Sequence, residues 1–217
     1  YEITTRLVGS EMCIRDRLAD EWEQVDDTTY RFHIRQGVKF SNGTELTPEI
    51  VKDSIQRSID NNSRGGDLKI ANIEVDGENV VFTTDGAYSA FVSQLTEPMT
   101  VIVDTTADTS NYDTMPICTG PYAVSEYVSE EKIELVANEN YWDGEVPLDK
   151  VTLKCVDDQT TRSMALQTGE IDIAYNLKTE NLIEFEGNDN YEIQELQSLR
   201  STYAFMNQSE GRALSDK

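Results

Sequence analysis

Beyond residue 17 the chain falls into stretches of clear hydrophobic period. Tyr30, Phe32 and Ile34 alternate with Arg31, His33 and Arg35, the period-2 pattern of a strand with one buried face. Trp22, expected with Phe32 and Phe40 to fill a core, opens a strand-like stretch before it, and Asp26-Asp27-Thr28 supplies the turn between the two. Gly37 breaks the second strand, Val38 and Phe40 resume it, and Asn42-Gly43 marks the next turn. Thr47-Pro48-Glu49 then predicts a helix start: a hydroxyl cap, a proline in the first turn and a carboxylate at the positive end of the dipole. Ile50, Val51, Ile55 and Ile59 form its apolar stripe, and 61–66 ends it. Two strands over 70–75 and 79–83 flank Asp76-Gly77 as a hairpin. A short helix over 87–95, a strand over 99–103 and a polar loop over 105–114 follow.

A second run of elements begins near Pro116. Tyr122, Val124 and Val128, then Ile133 and Leu135, read as antiparallel strands, and a loop over 138–147 carries Tyr141 and Trp142. Val151, Leu153 and Cys155 alternate as another strand, with Cys155 as a small core residue. Asp157 or Asp158 caps a helix through Met164 to Leu166, and Gly169 stands where a left-handed residue closes it. Ile171 and Ile173 begin a strand, so that strand, helix, glycine and strand form a βαβ-like unit. A short helix over 177–185 and strands at Tyr191, Ile193, Tyr203 and Phe205 complete the reading. Strands and helices are mixed throughout, which predicts an α/β or α+β class with two subdomains meeting near residue 116.

Residues 7–17, LVGSEMCIRDR, have no clean period and resemble a translated sequencing adaptor. The segment 1–17 is expected to be non-native or disordered, the alternative being an ordinary polar loop or short helix, and it is set aside from the fold.

Charge narrows the function classes. The 18 basic and 41 acidic side chains leave a net charge of −23, the wrong sign for phosphate backbones or anionic membrane surfaces. No apolar run reaches the roughly 18 residues needed to span a bilayer. The three cysteines, Cys13, Cys118 and Cys155, include no CxxC pair, and His33 is the only histidine, so neither a zinc site nor a cofactor is expected. Pairing of Cys118 with Cys155 stays open. Nucleophile-elbow, phosphate-loop, dinucleotide and HExxH motifs are all missing, and His33 sits on the solvated face of its strand. No catalytic residue is assigned. Asp104, Asp108 and Asp113 read as a polar surface loop rather than a cation site.

Four stretches in fixed order carry a resemblance to a known family. The first, 18–57, holds Leu18, Ala19 and Trp22, then Phe32, Ile34, Arg35, Gly37, Val38, Lys39 and Phe40, then Gly43, Leu46 and Thr47. The second, 118–144, reads CTGPY and later NENYW; the third, 148–174, carries Thr161-Arg162 and Gly169-Glu170-Ile171-Asp172; the fourth, 202–208, reads TYAFMNQ. Together they resemble family 5 of the bacterial solute-binding proteins, the dipeptide-, oligopeptide- and nickel-binding group. Cys118 departs from the pattern, standing where the family often has Gly or Ser.

The resemblance implies an α/β periplasmic-binding-protein-like fold of class II type. It implies mixed sheets with flanking helices forming lobe I of an incomplete two-lobed clamshell. Residues 18–115 and 116–200 are then two subdomains of that lobe, and 201–217 start the crossing to the second lobe. The implied function is a non-enzymatic, monomeric substrate-binding component. It captures di- or oligopeptides outside the cytoplasmic membrane, in the periplasm or as a cell-surface lipoprotein, and delivers them to an ABC permease. The alternatives are nickel or another solute, or service as a sensor for a receptor. Ligand contacts are expected from Glu97 and Met99 after Leu95, and from Tyr203 and Asn207 at the crossing.

Overall fold

A computed structural model describes residues 18–108 and 110–194. The chain divides into two compact units, the first ending at Cys155 and the second beginning at Val156. The expected change near residue 116 falls inside the first unit, between its two sheets.

The first sheet joins β1 (Ala19–Gln24), β2 (Thr29–Ile34), β3 (Ile70–Asp76) and β4 (Asn79–Thr84) in the order β1-β2-β4-β3, all pairs antiparallel. β2 and β4 alternate strictly between buried and half-buried positions. Their register sets Tyr30 opposite Phe82 and Phe32 opposite Val80, so both apolar rows share one face. Helix α1 (Pro48–Asn61) covers that face with Ile50, Val51 and Ile55. Thr47 caps it, accepting the Ile50 N–H at 3.4 Å, as the sequence predicts. Rings pack in the middle: Phe82 and Phe91 have centroids 5.5 Å apart, and Phe32 meets Phe82 edge-on at 5.5 Å. Each fully buried ring of this kind stabilises the fold by roughly 1.5–3 kcal/mol.

Two glycines answer to different demands. Gly43 adopts φ +89° in the Asn42-Gly43 turn, a conformation that disfavours any side chain. Gly65 is needed for close approach, because a Cβ there would lie 2.3 Å from the Ile59 carbonyl oxygen in the last turns of α1.

The second sheet is β5 (Tyr122–Val128), β6 (Lys132–Ala137) and β7 (Lys150–Lys154), again antiparallel. One face carries an ion-pair network in which Glu134 lies 2.9 Å from Lys132 and 2.6 Å from Lys150.

Several local expectations are corrected. Trp22 is 39% exposed: it stacks beside Phe32, 6.1 Å away, at the sheet's outer edge instead of filling the core. Residues 99–103 do not form a strand, because Pro98–Thr100 is a 3-10 turn. The helix expected over 87–95 shrinks to α2 (Phe91–Gln94). Cys155 is exposed at the end of β7, and it and Cys118 are both free thiols.

The second unit opens with α3 (Gln159–Gln167), capped by Asp158, whose Oδ1 accepts the Thr161 N–H at 2.7 Å. Gly169 closes the helix at φ +74°, as expected. The short α4 (Thr179–Leu182) follows. Residues 171–173 are not strand among the described residues, and Ile173 is 81% exposed, so the βαβ unit is not formed there. Tyr191 and Ile193 are likewise outside any strand, and Tyr203 and Phe205 lie outside the described residues. The fold class stands as read: mixed α and β, with helices flanking sheets.

Candidate functional site

The sequence directs attention to the corner after α2. Leu95 is fully buried and anchors it. The Thr100 hydroxyl, also fully buried, lies 2.9 Å from the Leu95 carbonyl and 2.8 Å from the Glu97 carbonyl, and its N–H donates to Glu97 at 3.0 Å. Glu97, Pro98 and Met99 are thereby held in one tight turn. Glu97 and Met99 are both half-buried. Among the described residues the Glu97 carboxylate has no hydrogen bond or ion pair. Tyr203 and Asn207, the other two expected contacts, lie outside the described residues.

The chain leaving this corner is stitched to α1. Ser54 donates its hydroxyl to the Val101 carbonyl at 3.2 Å and accepts the Val103 N–H at 3.0 Å. Beyond it, the fully buried Asp104 gathers donors: Asn42 Nδ2 at 2.7 Å, and the Thr106 N–H and hydroxyl at 2.9 and 2.6 Å. Burial pushes the Asp104 carboxyl upward, but these hydrogen bonds outweigh it and hold the group below the ordinary carboxylate value. The seam continues through Ser41, which donates to the Cys118 carbonyl at 2.9 Å, and Asn138, which donates to the Gly120 carbonyl at 2.8 Å. It thus joins the Asn42-Gly43 turn, the chain over 101–104 and the start of β5 into one polar joint.

Burial alone pushes the Cys118 thiol up to about 12, so it is an inert packing group and not a nucleophile. The Thr119 hydroxyl and the Tyr112 hydroxyl, both buried, have no hydrogen-bond partner among the described residues. Asp104 belongs to the joint; Asp108 instead accepts the Ser110 N–H at 2.9 Å in its own turn. No group of three or more His, Cys, Asp or Glu side chains among the described residues is placed to hold a metal ion.

The second unit carries a groove of about 790 Å³ that the sequence reading did not anticipate. Leu166, Asp172, Ile173, Tyr175, Phe185 and Tyr191 are among the residues that line it, and neither Glu97 nor Met99 does. Its signal in the sequence is the apolar alternation of Ile171, Ile173 and Tyr175, which reads equally well as a strand.

Comparison with known proteins places these features in context. The sequence profile of the family described as bacterial extracellular solute-binding proteins, family 5 Middle, matches residues 14–217. The nickel-binding protein NikA of Staphylococcus aureus is 29% identical over 195 residues, 89% of this chain and 40% of the relative. The glutathione-binding protein GsiB of Shigella flexneri is 30% identical over 210 residues, 92% of this chain and 41% of the relative. The crystal structure of a nickel ABC transporter protein from Bacillus halodurans superposes with a TM-score of 0.79 at 34% identity, covering 86% of this chain and 40% of that one. The chain therefore spans about two-fifths of the length of the curated relatives it matches.

Proposed function

Because the chain belongs to family 5 of the bacterial extracellular solute-binding proteins, we propose that it is the capturing part of an ABC importer's binding component and that its solutes are di- or oligopeptides. The match over 14–217 carries this reading, and the relative named for glutathione, a tripeptide, supports the peptide class. It works outside the cytoplasmic membrane, in the periplasm or as a cell-surface lipoprotein, as a monomer that hands solute to a permease. The described residues include no helix long and apolar enough to cross a membrane.

Residues 18–115 and 116–200 act as two subdomains of one lobe, and 201–217 lead to the second. Binding closes the lobes about a hinge, and closure is what the permease reads. Glu97 and Met99 are the proposed ligand contacts at the corner after α2, and Tyr203 and Asn207 are the further proposed contacts. The tight turn that holds Glu97 supports this, since a half-buried carboxylate without a partner is available to a ligand's cationic group.

A nickel complex is the second reading, favoured by the nickel-binding names of the relatives at 29% and 34% identity. Melting temperature against di- to pentapeptides and against nickel(II)–histidine complexes separates the two. A ligand at 100 times its Kd stabilises a fold by about 2.7 kcal/mol, a clear shift. A shift with peptides, weakened by Glu97→Ala, supports the first reading. A shift with nickel complexes alone supports the second, and no shift with either overturns both.

A further inference from the structure

The outward face of β2 presents two basic side chains, and each lies between carboxylates from both sides. Arg31 Nη1 donates to Glu23 at 3.1 Å and Nη2 lies 3.7 Å from Asp76. His33 Nδ1 lies 2.6 Å from Asp20 Oδ1, and Nε2 lies 3.4 Å from Glu78 Oε2. An ionised carboxylate only accepts, and a neutral imidazole has a single N–H. Both contacts are satisfied together only when the ring carries two protons.

The position matters as much as the pairing. β1 is an edge strand, and Asp20 sits where its register shifts between Ala19 and Glu21. Glu78 belongs to the turn joining β3 to β4, and its carbonyl accepts the Ile34 N–H at 2.9 Å. The ring thus touches the two segments that flank β2. Other groups around it are Glu21, opposite it on β1, the neutral Asn79 on β4, Arg31 on its own strand, and Arg35 just beyond, which lies 4.6 Å over the Trp142 ring. Acidic side chains dominate this neighbourhood.

We propose that His33 is a proton-operated clasp: doubly protonated, it fastens the edge strand β1 and the β3–β4 turn to β2, and β1 loosens when the proton leaves. The Asp20 hydrogen bond holds the imidazole above its ordinary value of 6.5, burial opposes this, and Glu78 adds to it. A group raised in the folded state stabilises fully below 6.5 and loses that contribution as pH rises through its raised folded value. A protein exposed to the external medium would feel such a change directly, whichever solute it binds.

His33 is the only histidine, so its ring signals in an NMR titration of the 217-residue chain are unambiguous. The expected midpoint lies above 6.5 and falls in Asp20→Asn. Hydrogen-exchange protection factors of the β1 amides should be roughly two- to fivefold larger at pH about 5.5 than at about 8.5, the scale of a partly exposed pair. That difference should vanish in His33→Gln. A midpoint at or below 6.5, a midpoint unmoved by Asp20→Asn, or β1 protection as pH-dependent in His33→Gln as in the wild type would each overturn the clasp. Should a variant fail to fold, the wild-type midpoint and the pH dependence of its β1 protection decide.

Discussion

Two stretches of this chain carry the same alternation and meet different fates. Tyr30, Phe32 and Ile34 lie on β2, which has β1 on one side and β4 on the other, and all three are buried. Ile171, Ile173 and Tyr175 repeat the pattern, yet among the described residues they are not strand, and Ile173 and Tyr175 are 81% and 82% exposed. A period-2 pattern states which face would be buried; it does not supply the neighbouring strand whose backbone groups the ladder needs. β2 finds its partners within about fifty residues, through a tight turn and the β3–β4 hairpin, while the later stretch pairs with no strand among the described residues.

The widest separation between the two should come from truncating one apolar side chain in each. Phe32→Ala should cost about 3–5 kcal/mol, because its ring sits at the centre of the buried aromatic cluster. Ile173→Ala should stay within about 0.5 kcal/mol. Urea unfolding of both variants measures the contrast, and comparable losses would break it.

Next in size is the polar joint. Asp104→Ala should cost about 1.5–3 kcal/mol by stranding the Asn42 and Thr106 donors. The carboxyl is lowered in the folded state, so its contribution is present above the ordinary 3.8 and is lost as pH falls through the lower folded value. The acid limb of the stability–pH profile should therefore flatten in Asp104→Asn.

Gly65→Ala tests close approach without any change of polarity. Forcing a Cβ against the Ile59 carbonyl should cost about 1–3 kcal/mol, read as a lowered unfolding midpoint at unchanged slope. Smallest is Thr47→Ala, about 0.5–1 kcal/mol, since its capping bond is long at 3.4 Å.

Much of the first sheet was legible because its rules are local. The alternation of β2 and β4, the Thr47 cap and stripe of α1, and the left-handed Gly43 and Gly169 each follow from a few adjacent residues. The misses are residues whose environment arrives from afar. Trp22 and Cys155 sit on well-patterned strands but lie at a sheet edge and a strand end, where only neighbouring elements decide exposure. Residues 99–103 look β-like, yet Pro98 and the Thr100 hydroxyl hold their start in a turn. Of the candidate site, the corner of Glu97 and Met99 was readable as a loop after a buried Leu95, but not its anchoring by Ser54, some 47 residues earlier.

By itself the sequence determined the family and the order of elements in the first sheet, because period, caps, turns and motif order are written in contiguous residues. Tertiary structure alone decided which alternating stretch became a buried strand, which carboxylate was fully buried and satisfied, and that one histidine came to lie between two acids. Those outcomes depend on partners distant in the chain, and only folding brings them within hydrogen-bond reach.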